Sequence, residues 1–317
     1  MAQPKTRISI DRRQVIIALL FVLALYVLLP QLSTFRDSWK VLSHLNTDWT
    51  VLAVGLTLTT YLFAALTYRL LSLQRLRYVE VVLVQFAATA VNRLLPAGIG
   101  GLGANYAYLR HRRHNGTQAA TVVAVNNMLG LLGHTFIVLI VLALASPYSR
   151  HLAAGSEHKL KMTLAIVAGL MVVGLLIGLV ISRQRFKRTL GTIVRHIGVY
   201  EKRPWRLSGA LLSSMALTLC NILCLYSCMV ALGVRLPFIV IVLIFTFGLS
   251  TGTVTPTPGG LGGFEAGLVA GFVAYHVSSA SGLAIALLFR LISYWLALLI
   301  GVLAFIVVQR RHLFSSE

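Results

Sequence analysis

Glu265 is the one acid set deep in an apolar stretch of this chain, and Arg93 and Arg290 are the two bases in comparable positions. An ionised side chain at the centre of a membrane helix costs about 2.5–3.5 kcal/mol on insertion scales, so each needs a partner or a polar cavity. Glu265 stands on the first turn after the run Pro256 to Gly263 (PTPGGLGG), and Arg290 lies seven residues into the last apolar span. Arg290 can hold a phosphate while Glu265 balances a cationic headgroup or the arginine itself. The plainer alternative has Glu265 capping its own half-helix or pairing statically with Arg290.

Arg93 stands beside Asn92 just before a second glycine run, Pro96 to Gly103 (PAGIGGLG). It can bind a phosphate from the cytoplasmic side, or extend along its own helix to the interface. Asn126, Asn127, His134 and Asn221 sit inside apolar spans, where they either line a shared cavity or make interhelical hydrogen bonds. The candidate substrate-binding set is therefore Glu265 and Arg290 with Pro258, Gly259, Gly260, Gly262 and Gly263 at one break, and Asn92, Arg93, Pro96, Gly98 and Gly100 at the other. Asn126 and Asn127 complete it. No catalytic, metal-binding or cofactor residues are expected.

Such residues need elements to position them. Of 317 residues 57% are hydrophobic and 11% charged, and mean hydropathy is +0.84. A soluble domain carries about 25% charged residues, so this chain cannot cover itself in water and its solvent is lipid. The net charge of +20 would suggest nucleic acid in a soluble protein. Here the bases lie in short connections between apolar runs, which suits anionic phospholipid headgroups and not nucleic acid. Cys220, Cys224 and Cys228 recur every four residues in one apolar run and read as small packing residues.

Six clean spans are expected at Val15 to Leu29, Trp49 to Tyr68, Thr117 to Leu144, Met162 to Ile181, Leu207 to Leu232 and Leu283 to Val308. The first reads as an uncleaved anchor, since no small-residue cleavage site follows it. Two further segments are interrupted, Val79 to Leu95 at the first glycine run and Phe238 to Val277 at the second. If both interrupted segments return to the side they entered from, 20 Lys and Arg lie on the cytoplasmic side and 6 outside; if each crosses once, the split is 13 against 13. The positive-inside rule selects returning segments, one from each face, with cytoplasmic termini in a plasma (inner) membrane. A tight pair of short crossings at Phe238 to Val277 has the same topology as a re-entrant hairpin, and the sequence does not separate the two.

The two breaks align without a gap at an offset of 162 residues, Pro96 to Ala104 over Pro258 to Ala266, and the same offset superposes the flanking spans. The expected fold is an all-α polytopic membrane protein, one transmembrane domain over 1–317. It has six full transmembrane helices plus two Gly/Pro-broken re-entrant hairpins, arranged as an inverted repeat. The copies span 14–144 and 162–308, with a basic cytoplasmic loop at 182–206. Inverted repeats with interrupted helices are a transporter plan, and freed backbone groups at that depth must face protein or a wet cavity. Gly263, Gly267 and Gly271 have spacing suited to close helix crossing. GxGxxG at Gly98, Gly100 and Gly103 and GxSxG at Gly248, Ser250 and Gly252 lack the strand contexts those motifs require. The spacing specifies no oligomeric state.

At PGGLGGFE (Pro258 to Glu265) and RLISYW (Arg290 to Trp295) the chain resembles the lysylphosphatidylglycerol synthase/flippase transmembrane family, also called the UPF0104 inner-membrane proteins. The resemblance implies a polytopic protein whose relatives move an aminoacylated phospholipid between leaflets, and it points to Pro258, Gly260, Gly262, Glu265 and Arg290. The first break departs from the pattern of relatives that carry Gly-Arg and then Glu after the proline, because Ala97, Gly98 and Gly103 leave it uncharged. With no soluble aminoacyl-transfer domain before Glu317, the expected role is a lipid flippase or headgroup transporter and not an enzyme. An integral-membrane enzyme acting on a lipid-linked substrate, or a non-transporting assembly protein, are the rival readings.

Overall fold

The computed structural model describes residues 45–94, 99–145, 204–255, 257–311 and 313, all helix or short connection. The expected spans Val15 to Leu29 and Met162 to Ile181, most of the 182–206 loop, and Pro96 and Gly98 lie outside the described residues. Among the described residues, two groups of four helices follow one another. The first is α1 (Thr47–Leu71), α2 (Tyr78–Leu94), α3 (Ile99–His111) and α4 (Gly116–Ala145). The second is α5 (Pro204–Ala231), α6 (Phe238–Val254), α7 (Gly263–Ala274) and α8 (Ser279–Arg310). Each group reads long, short, short, long, in register with the offset of 162 residues.

Length and composition make α1, α5 and α8, and α4 over Gly116–Val141, able to cross a bilayer. Their ends are set by local chemistry. Asn46 Oδ1 accepts from the N–H groups of Asp48 and Trp49, at 3.1 and 3.3 Å, and Asp48 and Arg69 place opposite charges at the two ends of α1. Several hydroxyls inside the apolar helices are satisfied by the preceding turn, as where Thr246 donates to Val242 O at 2.7 Å and Ser250 to Thr246 O at 2.9 Å.

The short helices form two antiparallel hairpins. In the first, Gln85 of α2 donates to Asn105 of α3 at 2.7 Å, and the N–H of Gly101 donates to Asn92 Oδ1 at 3.1 Å. The return limb is a 13-residue helix, where the sequence reading expected little beyond a glycine run. In the second, Gly263, Gly267 and Gly271 all face α6. A Cβ on Gly267 would stand 2.9 Å from the Gly248 Cα, and one on Gly271 3.1 Å from the Ile244 side chain. The expected close-crossing role of this spacing is what the packing uses.

Between the groups, α1 runs antiparallel to α5 along its length. The contacts run from Asn46 N on Ala231 O at 2.9 Å, through Thr57 Oγ1 and Cys224 Sγ at 3.3 Å, to Arg206 on Ser72 O at 3.2 Å. The C-terminal half of α8 packs against α2, where Gly301 faces the backbone of Phe86. One apolar cluster joins the α6–α7 hairpin to α5 and the start of α8, including Ile222, Leu225, Phe245, Leu268 and Phe272. A second joins the α2–α3 hairpin to α4 and the end of α8, including Leu71, Val84, Leu109, Val122 and Val308.

The charges sort by end. Of the twelve described arginines, nine (69, 75, 77, 110, 112, 113, 206, 310 and 311) lie at the end where α1 and α3 finish and α2 and α5 begin. At that end Arg112 and Arg77 pair with Glu80, and Leu313 packs with Leu71 and Leu76. Arg235 lies at the opposite end, where Trp49, Tyr226 and Phe238 meet edge to face. Arg93 and Arg290 lie between.

Candidate functional site

Each hairpin turns round near the middle of α8. That helix has 32 residues, about 48 Å at 1.5 Å per residue, and Arg290 to Tyr294 stand close to its halfway point. There the regular ladder gives way to a π-helical turn over Leu291–Leu296. A π turn spaces its hydrogen bonds wider, and such turns recur at functional positions. The Arg93 guanidinium, from the end of α2, donates to the carbonyls of Ser293 and Tyr294, the latter of which also accepts from the Ala297 N–H. It also lies over the Tyr294 ring, 4.7 Å from its centroid. Tyr294 Oη returns a hydrogen bond to Arg93 O at 3.2 Å. Arg93 thus turns inward onto α8 and does not extend to the interface. Tyr61 of α1 is in hydrogen-bonding reach of the same guanidinium.

The second hairpin arrives through Pro258–Gly260, a tight turn that α2 also contacts. Gly259 and Gly260 have φ of +64° and +66°, a region that strains any residue with a Cβ. A Cβ on Gly259 would also press into the Tyr294 ring, and one on Gly260 would stand 2.6 Å from Gly252 O. Only glycine lets this turn lie flat on the tyrosine and on α6.

Immediately after the turn, Glu265 closes two contacts. Its Oε2 accepts from the N–H of Gly262 at 2.8 Å, capping α7. Its Oε1 lies 2.6 Å from Arg290 Nε. That N–H is not aligned on the oxygen, so the contact is an ion pair by proximity and not a directed hydrogen bond. Arg290 is 9% exposed. It further donates to the carbonyls of Gly259 and Gly260, each at 3.4 Å, and lies over the Phe264 ring at 4.3 Å and the Tyr294 ring at 5.4 Å.

The structure therefore brings together Glu265, Arg290, Gly259, Gly260, Gly262 and Arg93, with the backbone of Pro258 in the turn between them. Both plainer roles weighed for Glu265, cap and ion-pair partner, are present at once. Gly263 packs on Thr255, Gly100 packs on the backbone of Val91, and Asn92 braces its hairpin through Gly101. Asn127 is exposed and bonds back to Val123 O at 2.8 Å, and Asn126 is partly buried on the same helix. Asn221 likewise bonds to Leu217 O, and His134 is buried against Phe245. These polar residues of α4 and α5 do not join the cluster. Tyr294 and Tyr61 do, and the sequence reading passed over both, since an aromatic residue in an apolar span reads as core. The signal for Tyr294 was its place one turn after Arg290.

Residues 15–301 match the family described as Lysylphosphatidylglycerol synthase TM region. A UPF0104 membrane protein of Pyrococcus horikoshii is 33% identical over 116 residues, 37% of this chain and 34% of the relative. The matched part thus spans about a third of the length of that curated relative. With a match covering most of its length, this multi-pass membrane protein belongs to the lysylphosphatidylglycerol synthase transmembrane-region family.

Proposed function

We propose that the protein moves a phospholipid, or a related anionic lipid, between leaflets of the plasma (inner) membrane, acting as a transporter and not as an enzyme. The observation that carries this reading is the convergence of two helical hairpins, entering from opposite ends of the bundle, on Arg93, Tyr294 and Arg290 halfway along α8. Family membership supports a lipid-related role in the membrane.

In this reading the hairpins are re-entrant and the two groups of helices form an inverted repeat. The antiparallel packing of α1 on α5 supports it. These helices are each other's counterparts at the offset of 162 residues, and counterparts related by a two-fold axis lying in the membrane must run antiparallel. The arginine-rich end supports a cytoplasmic placement for that side. A lipid headgroup would pass the glycine turns, where backbone groups and guanidinia offer polar contacts, while its tails stay in the bilayer. Arg290 and Arg93 would hold the phosphate.

The test is a leaflet-labelling assay in proteoliposomes with fluorescent phospholipids. Wild type is expected to accelerate loss of outer-leaflet signal, and the Glu265→Gln, Arg290→Ala double variant to fall to the protein-free rate. Equal rates for the two proteins would remove the site.

A further inference from the structure

Three ionised side chains meet at the hairpin tips, and their charges do not cancel. Glu265 and Arg290 form one neutral pair at 2.6 Å. Among the described residues no carboxylate pairs with Arg93: it rests on the carbonyls of Ser293 and Tyr294 and on the face of Tyr294. Carbonyl dipoles and ring quadrupoles solvate a cation without neutralising it. Among the described residues no other acid lies at that depth. Asp48 and Glu80 lie at opposite ends of the bundle, and Asp11, Asp37, Glu157, Glu201 and Glu317 fall in hydrophilic connections of the sequence. A surplus of one positive charge remains at the level where hydrocarbon tolerates it least.

A second observation concerns the carboxylate. Both Glu265 oxygens are taken, Oε1 by Arg290 and Oε2 by the Gly262 N–H. An ammonium group brought to the site meets two guanidinia and a carboxylate whose charge Arg290 already balances. Both guanidinia lie over one ring, 4.7 and 5.4 Å from the Tyr294 centroid, so both positive charges fall in one neighbourhood of the fold.

From this we infer that the tip site takes a ligand of one net negative charge, a phosphate diester whose headgroup bears no amine, and discriminates against zwitterionic and aminoacylated lipids. Arg93 sets this selectivity, because it is the unneutralised cation. The inference rests on the lipid-moving reading above and narrows its substrate class, against the aminoacylated lipids that the family resemblance implies.

The experiment compares fluorescent phosphatidylglycerol, phosphatidylcholine and lysylphosphatidylglycerol in proteoliposomes containing the full chain. Wild type is expected to move phosphatidylglycerol at least about tenfold faster than the other two. Arg93→Gln is expected to bring the three rates together, Arg93→Lys to keep the preference, and Glu265→Gln, which adds to the surplus, to sharpen it. Phosphatidylcholine or the lysyl lipid moving as fast on wild type overturns the inference, as does an undiminished preference in Arg93→Gln. If wild type moves none of the three, the lipid-moving reading fails, and native mass spectrometry of the detergent-solubilised protein then tests charge selection by itself. Retention of phosphatidylglycerol over phosphatidylcholine, lost in Arg93→Gln, supports the inference. Equal retention of both lipids overturns it, and retention of inorganic phosphate without any lipid preference overturns its lipid source.

Discussion

Arg93 and Tyr294, 201 residues apart, hold one another through both backbone and side chain. The guanidinium donates to the Tyr294 carbonyl and stacks on its ring, while the tyrosine hydroxyl donates to the Arg93 carbonyl at 3.2 Å. The end of the first hairpin is thereby fastened to α8 at the point where the second hairpin's glycine turn lies against the same ring.

Removing only the hydroxyl tests the fastening. Tyr294→Phe keeps the ring and loses the bond to Arg93 O, which should cost about 1 kcal/mol, the usual net worth of one hydrogen bond. Thermal unfolding in nanodiscs would read this as a small drop in Tm. Tyr294→Ala, which also removes the platform under two guanidinia, should lose far more.

The ion pair gives a non-additive expectation. Removing one partner of a buried pair strands the other, at a cost of about 3–5 kcal/mol, whereas replacing both by apolar groups is close to neutral. Glu265→Leu and Arg290→Met should each destabilise strongly, and the double variant less than either. Additive losses in a denaturation cycle would show that the two side chains are not coupled.

Glycines should divide by position. At Gly259 an added methyl meets Tyr294 in a left-handed backbone, so Gly259→Ala should cost about 1–3 kcal/mol or more and slow lipid movement. At Gly103, helical and with nothing within 4 Å of the added Cβ, alanine should stabilise by about 0.5–1 kcal/mol. Thermal shifts of the two variants in one detergent make the comparison.

Acid should loosen the arginine-rich end. Burial pushes the His114 imidazole below its ordinary value, outweighing its hydrogen bond to Leu109 O. Its Nε2 meets Ser72 Oγ at 3.1 Å, tying the α3–α4 connection to the end of α1. The unfolded chain binds the proton more readily, so this stability is present above about pH 6.5 and is lost as pH falls through the lower folded value. Tm measured from pH 8 to pH 5 should fall on the acid side for wild type and change less for His114→Gln.

The long helices were legible because hydrophobic length is a local property. The return limb α3 was not, since three glycines in Ile99–His111 read as a break until packing on α2 holds them in a helix. The π turn at Leu291–Leu296 has no proline or glycine to announce it. The direction of Arg93 was equally hidden: a long side chain near a helix end can reach water or turn inward, and only the packing of α2 beside the Ser293 and Tyr294 carbonyls decides. Glu265 and Arg290 were recognisable singly by the cost of their depth. That both carboxylate oxygens have partners, with Arg290 balancing their charge, is a fact of three dimensions.

The central claim is that the two hairpins enter from opposite faces and meet inside the bilayer. Single cysteines at Arg75, Arg113, Arg235 and His276, in a background lacking Cys220, Cys224 and Cys228, can be labelled with a membrane-impermeant maleimide in sealed vesicles of known orientation. Positions 75 and 113 should react together from the cytoplasmic side, and 235 and 276 together from the other. Labelling of 75 and 113 from opposite sides, or of 235 and 276 from opposite sides, would contradict the account.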